Sequence, residues 1–95
     1  MKERIVIVDD TVPRLVDHAR LQFDKHRNQW IIQAPERLLV LDAIALEIVQ
    51  RCDGAASVGA IVSDLAGKFA APAEVIGRDV SALLQDLVDK GIVTA

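Results

Sequence analysis

With one cysteine, Cys52, in 95 residues, no intramolecular disulfide can brace this chain. No stretch reaches the roughly 18 apolar residues of a membrane span, and no segment has the layout of a secretory signal, so the expected compartment is the cytoplasm. Cations are not in surplus. Lys and Arg number 11 against 14 Asp and Glu, and a net charge of −3 gives no general attraction to nucleic-acid phosphates or anionic membranes. The glycines, Gly54, Gly59, Gly67, Gly77 and Gly91, are scattered, and none sits in the Gly-rich strand-to-helix turn that cradles a nucleotide phosphate. His18 and His26 lack a cysteine or carboxylate at a ligand-like interval and read as surface imidazoles rather than as zinc ligands.

What is present is apolar patterning. Hydrophobic residues make up 52% and charged residues 26%, enough for one domain that buries about two thirds of its unfolded surface. Ile5-Val6-Ile7-Val8, between Lys2-Glu3-Arg4 and Asp9-Asp10, is either a short strand or a docking arm, and Thr11-Val12-Pro13 interrupts the pattern. Residues 1–12 are therefore set apart from a domain spanning 13–95. Residues 19–24 alternate, with Ala19, Leu21 and Phe23 on one face, and a five-residue polar loop (25–29) leads into Trp30-Ile31-Ile32-Gln33. The turn Ala34-Pro35-Glu36-Arg37 then opens a third strand, Arg37-Leu38-Leu39-Val40-Leu41, that is apolar on both faces.

After Asp42, a good N-cap, the period lengthens to about 3.6 residues. Ile44, Ala45, Ile48, Val49 and Cys52 form the stripe of a first helix ended by Asp53-Gly54. Ser57 caps a second, with Val58, Ile61, Val62, Leu65, Ala66 and Phe69 on one side. Ala70-Ala71 links it to a third helix, with Pro72 expected at its first position and Val75, Ile76, Val80, Leu83, Leu84, Leu87 and Val88 along its stripe before Gly91 stops it. The prediction is an α+β fold, winged-helix-like, with a three-stranded antiparallel sheet followed by a three-helix bundle.

Nothing in this inventory assembles a nucleophile with a base, or a metal site, so the chain is read as a non-enzyme without cofactor or metal. Cys52 on an apolar stripe is an inert buried thiol, and Ser57 is better explained as a cap than as the anchor of an acyl carrier's prosthetic arm. The third strand asks for a partner. In a consecutive meander it lies at the sheet edge, and an edge with leucines on both faces is an aggregation hazard unless covered. The cover is the protein's own helices, the 5–8 arm of the same or another copy, or an incoming peptide that adds a strand. Ordering a peptide costs about 2–5 kcal/mol, and two or three buried Leu-sized anchors at about 1.5–3 kcal/mol each offset it. Arg37 and Arg78 are candidate clamps for an acidic peptide side chain.

Trp30, Ala34-Pro35-Glu36-Arg37-Leu38, Leu41-Asp42, Cys52-Asp53-Gly54, Ser57-Val58, Asp79-Val80 and Leu83-Leu84-x-x-Leu87 together resemble the PqqD family of pyrroloquinoline quinone biosynthesis, from about Pro13 to Val93. The resemblance implies a recognition element that binds the ribosomal precursor peptide PqqA and presents it to PqqE, a radical S-adenosylmethionine enzyme that links a glutamate and a tyrosine of the peptide. It implies no iron–sulfur cluster on this chain. It also implies that the peptide pairs with the third strand (Arg37, Leu38, Leu39, Val40, Leu41) and packs on the third helix (Ile76, Arg78, Val80, Leu83, Leu84, Leu87). His18-Ala19 stands where relatives often carry a glycine, and the residues before Pro13 resemble nothing in the family. Residues 5–8 therefore remain candidates for docking on a second copy in a homodimer.

Two rivals come from other classes. A winged-helix DNA-binding protein is suggested by the second and third helices, but residues 72–90 carry Glu74, Asp79, Asp86 and Asp89 against only Arg78 and Lys90. A small oligomerisation domain without a peptide ligand is the other. The substitution Leu39→Asp is expected to weaken peptide binding far more than folding if the strand is a binding edge.

Overall fold

The computed structural model describes residues 5–95; Lys2-Glu3-Arg4, at the start of the arm, lie outside the described residues. Along the chain come β1 (Arg14–Leu15), β2 (Arg20–Asp24), β3 (Gln29–Ala34), β4 (Arg37–Leu41), α1 (Ala43–Gln50), α2 (Val58–Phe69), α3 (Ala73–Asp89) and β5 (Val93–Thr94). The expected meander is there as an antiparallel sheet in the order β2-β3-β4, followed by the three expected helices.

Two hairpin turns set its register. Asp24 pairs with Gln29, so the first loop has four residues rather than the expected five. The Asp24 carboxylate accepts from the amides of His26 (3.0 Å) and Arg27 (3.3 Å), and Asn28 takes a left-handed φ of 55° that its short polar side chain tolerates. In the second turn Ala34 faces Arg37 across Pro35-Glu36. Proline presets the first central residue, and the second, Glu36, stands at a φ of 62°, a left-handed position that glycine usually fills.

This register puts Leu21, Ile32 and Leu39 in one cross-strand row and Phe23, Trp30 and Leu41 in the next, all on the face toward the helices. Phe23 and Trp30 meet edge to face, with centroids 5.4 Å apart. The rows Gln22, Ile31, Val40 and Arg20, Gln33, Leu38 lie on the opposite face.

Local chemistry bounds each helix. Asp42 Oδ1 accepts from the Ala45 amide at 2.7 Å, and Ser57 Oγ from the Ala60 amide at 3.1 Å, which satisfies an orphan donor at each N-terminus. Gln50 is the last residue of α1, earlier than Asp53-Gly54 suggested; Gly54 instead uses its φ of 78° in a loop where its amide donates to the Pro13 carbonyl (3.0 Å). Pro72 is the N-cap of α3 rather than its first residue. At its other end Gly91 is left-handed, and the amides of Gly91 and Ile92 donate to the carbonyls of Val88 and Leu87, the paired bonds of a Schellman stop. Ala70 plays the same part after α2 at a φ of 50°, with its amide on Gly67 and that of Ala71 on Ala66.

The interior falls into two clusters. Ile48, Cys52, Val58, Ile61, Leu65, Ile76, Val80 and Leu84 join the three helices. Ala19, Ile32, Leu41, Val49, Leu87, Ile92 and Val93 join the sheet to α1, α3 and the C-terminal strand. That strand, β5, pairs antiparallel with β1 (Arg14 with Thr94, Leu15 with Val93), a small second sheet the sequence did not announce. Residues 5–8 form no strand. Ile7 packs on the helical cluster, its amide donates to Gln85 Oε1 (2.9 Å), and Asp9 and Thr11 accept from the amides of Gly59 (2.9 Å) and Val58 (2.7 Å), so the described part of the arm lies along its own α2 and α3.

Candidate functional site

Among the described residues β4 has a hydrogen-bonding partner on one side only, β3. Its outer edge is free. Arg37 opens this edge and is exposed; Leu38 and Val40 point to the outer sheet face at 46% and 53% exposure; Leu39 and Leu41 turn inward, half-buried and buried.

Beyond Leu41 the chain enters α1, and a cleft of ≈ 260 Å³ opens there between the start of α1 and the middle of α3. Ala45, Ile48 and Leu83 give it an apolar surface, Ile44 stands 39% exposed at its lip, and Asp42 and Asp79 add acidic groups. A larger depression of ≈ 480 Å³, lined by His18, Arg20, Gln22, Gln33, Ala34, Pro35 and Glu36, lies at the other end of the sheet. Its lining is mostly polar, whereas that of the cleft past the end of β4 is mostly apolar, which makes the cleft the better candidate despite its smaller size.

The residues expected on α3 divide by side. Ile76, Val80, Leu84 and Leu87 are 7% exposed or less and belong to the two core clusters, so they support the helix from beneath rather than offer surface. Leu83 is half-buried, lines the cleft and packs against both clusters. Arg78 is exposed and held by Glu74 four residues away at 2.7 Å, as Lys90 is by Asp86 at 2.7 Å. Asp42, Ile44, Ala45, Ile48 and Asp79 are the cleft residues that sequence reasoning does not place there: Asp42 is legible as a cap, Ile44, Ala45 and Ile48 as part of an apolar stripe, and Asp79 as part of a motif.

An ion-pair network fixes α1 against α2. Glu47 accepts from Arg51 and Lys68, both at 2.8 Å, and Arg51 also reaches Asp64 at 2.6 Å. The hydrogen bonds from Lys68 and then Arg51 hold the Glu47 carboxyl below its usual range, and those to Asp64 and Glu47 raise Arg51. Asp53 is lowered by the amides of Ala55 and Ala56. Burial, with a smaller push from the Asp53 charge, drives the Cys52 thiol up to about 12. Among the described residues no trio of His, Cys, Asp or Glu is placed to hold a metal, and none of their helices is long and apolar enough to cross a membrane.

Fold and site together define a small α+β module in which the outer edge of β4 lacks a strand partner and Asp42, the residue after that strand, lines a largely apolar cleft. The family model described as "Coenzyme PQQ synthesis protein D (PqqD)" matches residues 29–93. The PqqA binding protein of Rhodopseudomonas palustris is 54% identical over 91 residues, covering 96% of this chain and 89% of that protein. That of Gluconobacter oxydans is 44% identical over 87 residues, covering 92% and 91%. The solution structure of the PqqD truncation of Methylobacterium extorquens PqqCD, described as a functional, stand-alone recognition element for ribosomally synthesized and post-translationally modified peptides, superposes with a TM-score of 0.81 at 31% identity, covering 95% of this chain and 96% of that one. PqqD from Xanthomonas campestris, a crystal structure, gives 0.56 at 44% identity over 90% and 94%. The chain belongs to the PqqD family.

Proposed function

We propose that this chain binds the precursor peptide PqqA in pyrroloquinoline quinone biosynthesis, as the name of its relatives states for them, and presents it to the radical enzyme PqqE in the cytoplasm. The peptide adds as a fourth strand along Arg37–Leu41, its backbone bonding the free edge and its inward side chains entering the cleft between α1 and α3. The observation that carries this reading is the outer edge of β4, without a strand partner among the described residues, followed in the chain by Asp42 and Ile44, which line a largely apolar cleft. Main-chain pairing gives affinity to any extended segment, and the pocket beside it selects among side chains. The chain itself contributes recognition, not bond chemistry.

Backbone NMR shift mapping with the synthetic PqqA peptide tests it. Changes confined to β4, Asp42, Ile44 and Leu83 are expected; changes confined to β2 or the arm overturn the strand-addition mode. The substitution Ile44→Ser should weaken PqqA more than it lowers folding stability, because Ile44 is 39% exposed in the first helical turn and belongs to neither core cluster. A calorimetric titration of PqqE with the PqqA complex and with PqqA alone tests presentation, which requires tighter association of the complex.

A further inference from the structure

The cleft past the end of β4 is lined by two carboxylates, Asp42 and Asp79, together with Ile44, Ala45, Ile48 and Leu83. Asp42 commits Oδ1 to the Ala45 amide. Among the described residues, no hydrogen bond or ion pair engages the Asp79 side chain, and the neighbouring cation, Arg78, is held by Glu74. An apolar surface that shares its cleft with two carboxylates, one of them without a partner among the described residues, is complementary to a long basic side chain: such residues lay their methylene stems on apolar surface and keep the charged head in water. A volume of ≈ 260 Å³ falls below the roughly 300–1,000 Å³ of small-molecule sites, which suits one side chain rather than a free ligand.

Resting on the strand-addition reading, the geometry points to this cleft as the seat of a single lysine or arginine of the bound peptide, with its stem on Ile44 and Leu83 and its cationic head between Asp42 and Asp79. The assignment reverses the charge expected of the peptide at this end of the site. It also makes the edge electrically polar. Arg37 opens β4 and Asp42 follows its end, about 17 Å away at the usual rise per residue. A peptide whose cation sits at the acidic end is fixed in register and direction, because a one-residue slip turns that side chain to the other face. An acidic residue at the same place meets like charge, and so the cleft also rejects wrong registers.

The test is titration calorimetry of synthetic PqqA against the wild-type chain, Asp79→Asn and Asp42→Asn, repeated with peptides in which each lysine or arginine in turn is norleucine. Asparagine at position 42 retains the cap acceptor, and position 79 is exposed, so both variants fold. One norleucine peptide should bind the wild type about tenfold more weakly yet lose less than about twofold against Asp79→Asn, the coupling expected of a close charge pair. Equal losses on both proteins, no loss at any position, or a cognate peptide that binds without any lysine or arginine overturns the assignment and leaves strand addition standing. Failure of PqqA to bind the wild type removes both.

Discussion

The amide of Ile7 donates to Oε1 of Gln85 at 2.9 Å, and Nε2 of the same side chain donates to the Ile5 carbonyl at 2.9 Å. One glutamine on α3 thus grips the backbone of the arm as a neighbouring strand would. Gln85→Ala removes both bonds and should lower stability by about 1–2 kcal/mol. Hydrogen exchange should show the Ile7 amide losing its protection while Leu84 keeps it. Light scattering on the same variant checks whether a freed arm passes to a second copy, which a rise in mass with concentration would reveal.

Ala70 occupies a left-handed position that costs an L-residue roughly 1 kcal/mol and a glycine nothing. Ala70→Gly should therefore stabilise the protein by about 0.5–1 kcal/mol, read as a higher urea midpoint with an unchanged slope. Glu36→Gly, at a φ of 62°, should act in the same direction in the hairpin turn.

The Cys52 thiol, raised to about 12 and donating to the Ile48 carbonyl at 3.3 Å, should be silent toward a thiol reagent at pH 8 in the folded chain. Full stoichiometric reaction should appear only in denaturant. Rapid labelling of the native protein would contradict a buried Cys52.

Glu47 and Asp53 are both lowered in the folded state, from ordinary values of 4.5 and 3.8. Their contribution to stability is complete above those values and is lost as pH falls through the lowered ones, because the unfolded chain takes up the protons first. Urea midpoints should be flat from pH 7 to about 5 and then decline. In Glu47→Gln the decline should be shallower.

What the sequence made legible is what neighbouring residues decide among themselves. Asp42, Ser57 and Gly91 punctuate helices through bonds that span three to five residues, and all three do so in the structure. The pairing of β1 with β5 joins Arg14 to Thr94 through two residues on each side, too short for any periodicity to register. Ile44, Phe69 and Val75 fit apolar stripes by spacing, yet they stand near helix ends and are only partly covered, at 39%, 39% and 47% exposure.

The same logic limited the site. Period 3.6 finds the face of α3 that is most apolar, and that face turns to the core, so Ile76, Val80, Leu84 and Leu87 were conspicuous while Asp79 was not. Strand composition alone does not separate half-buried Leu39 from the exposed Leu38 and Val40. Because Leu39 also packs against the sheet-side cluster, Leu39→Asp strikes folding as well as any binding at the edge, and Ile44 separates the two better.

Leu83 packs against the helical cluster and against the sheet-side cluster, and it forms one wall of the cleft. A guest side chain resting on it is therefore clasped by both halves of the interior, and neither half can swing away without letting go. Occupancy should slow breathing motions far from the contact, with Leu65 and Ile32 gaining protection together, and the occupied chain should melt in one step at a higher temperature.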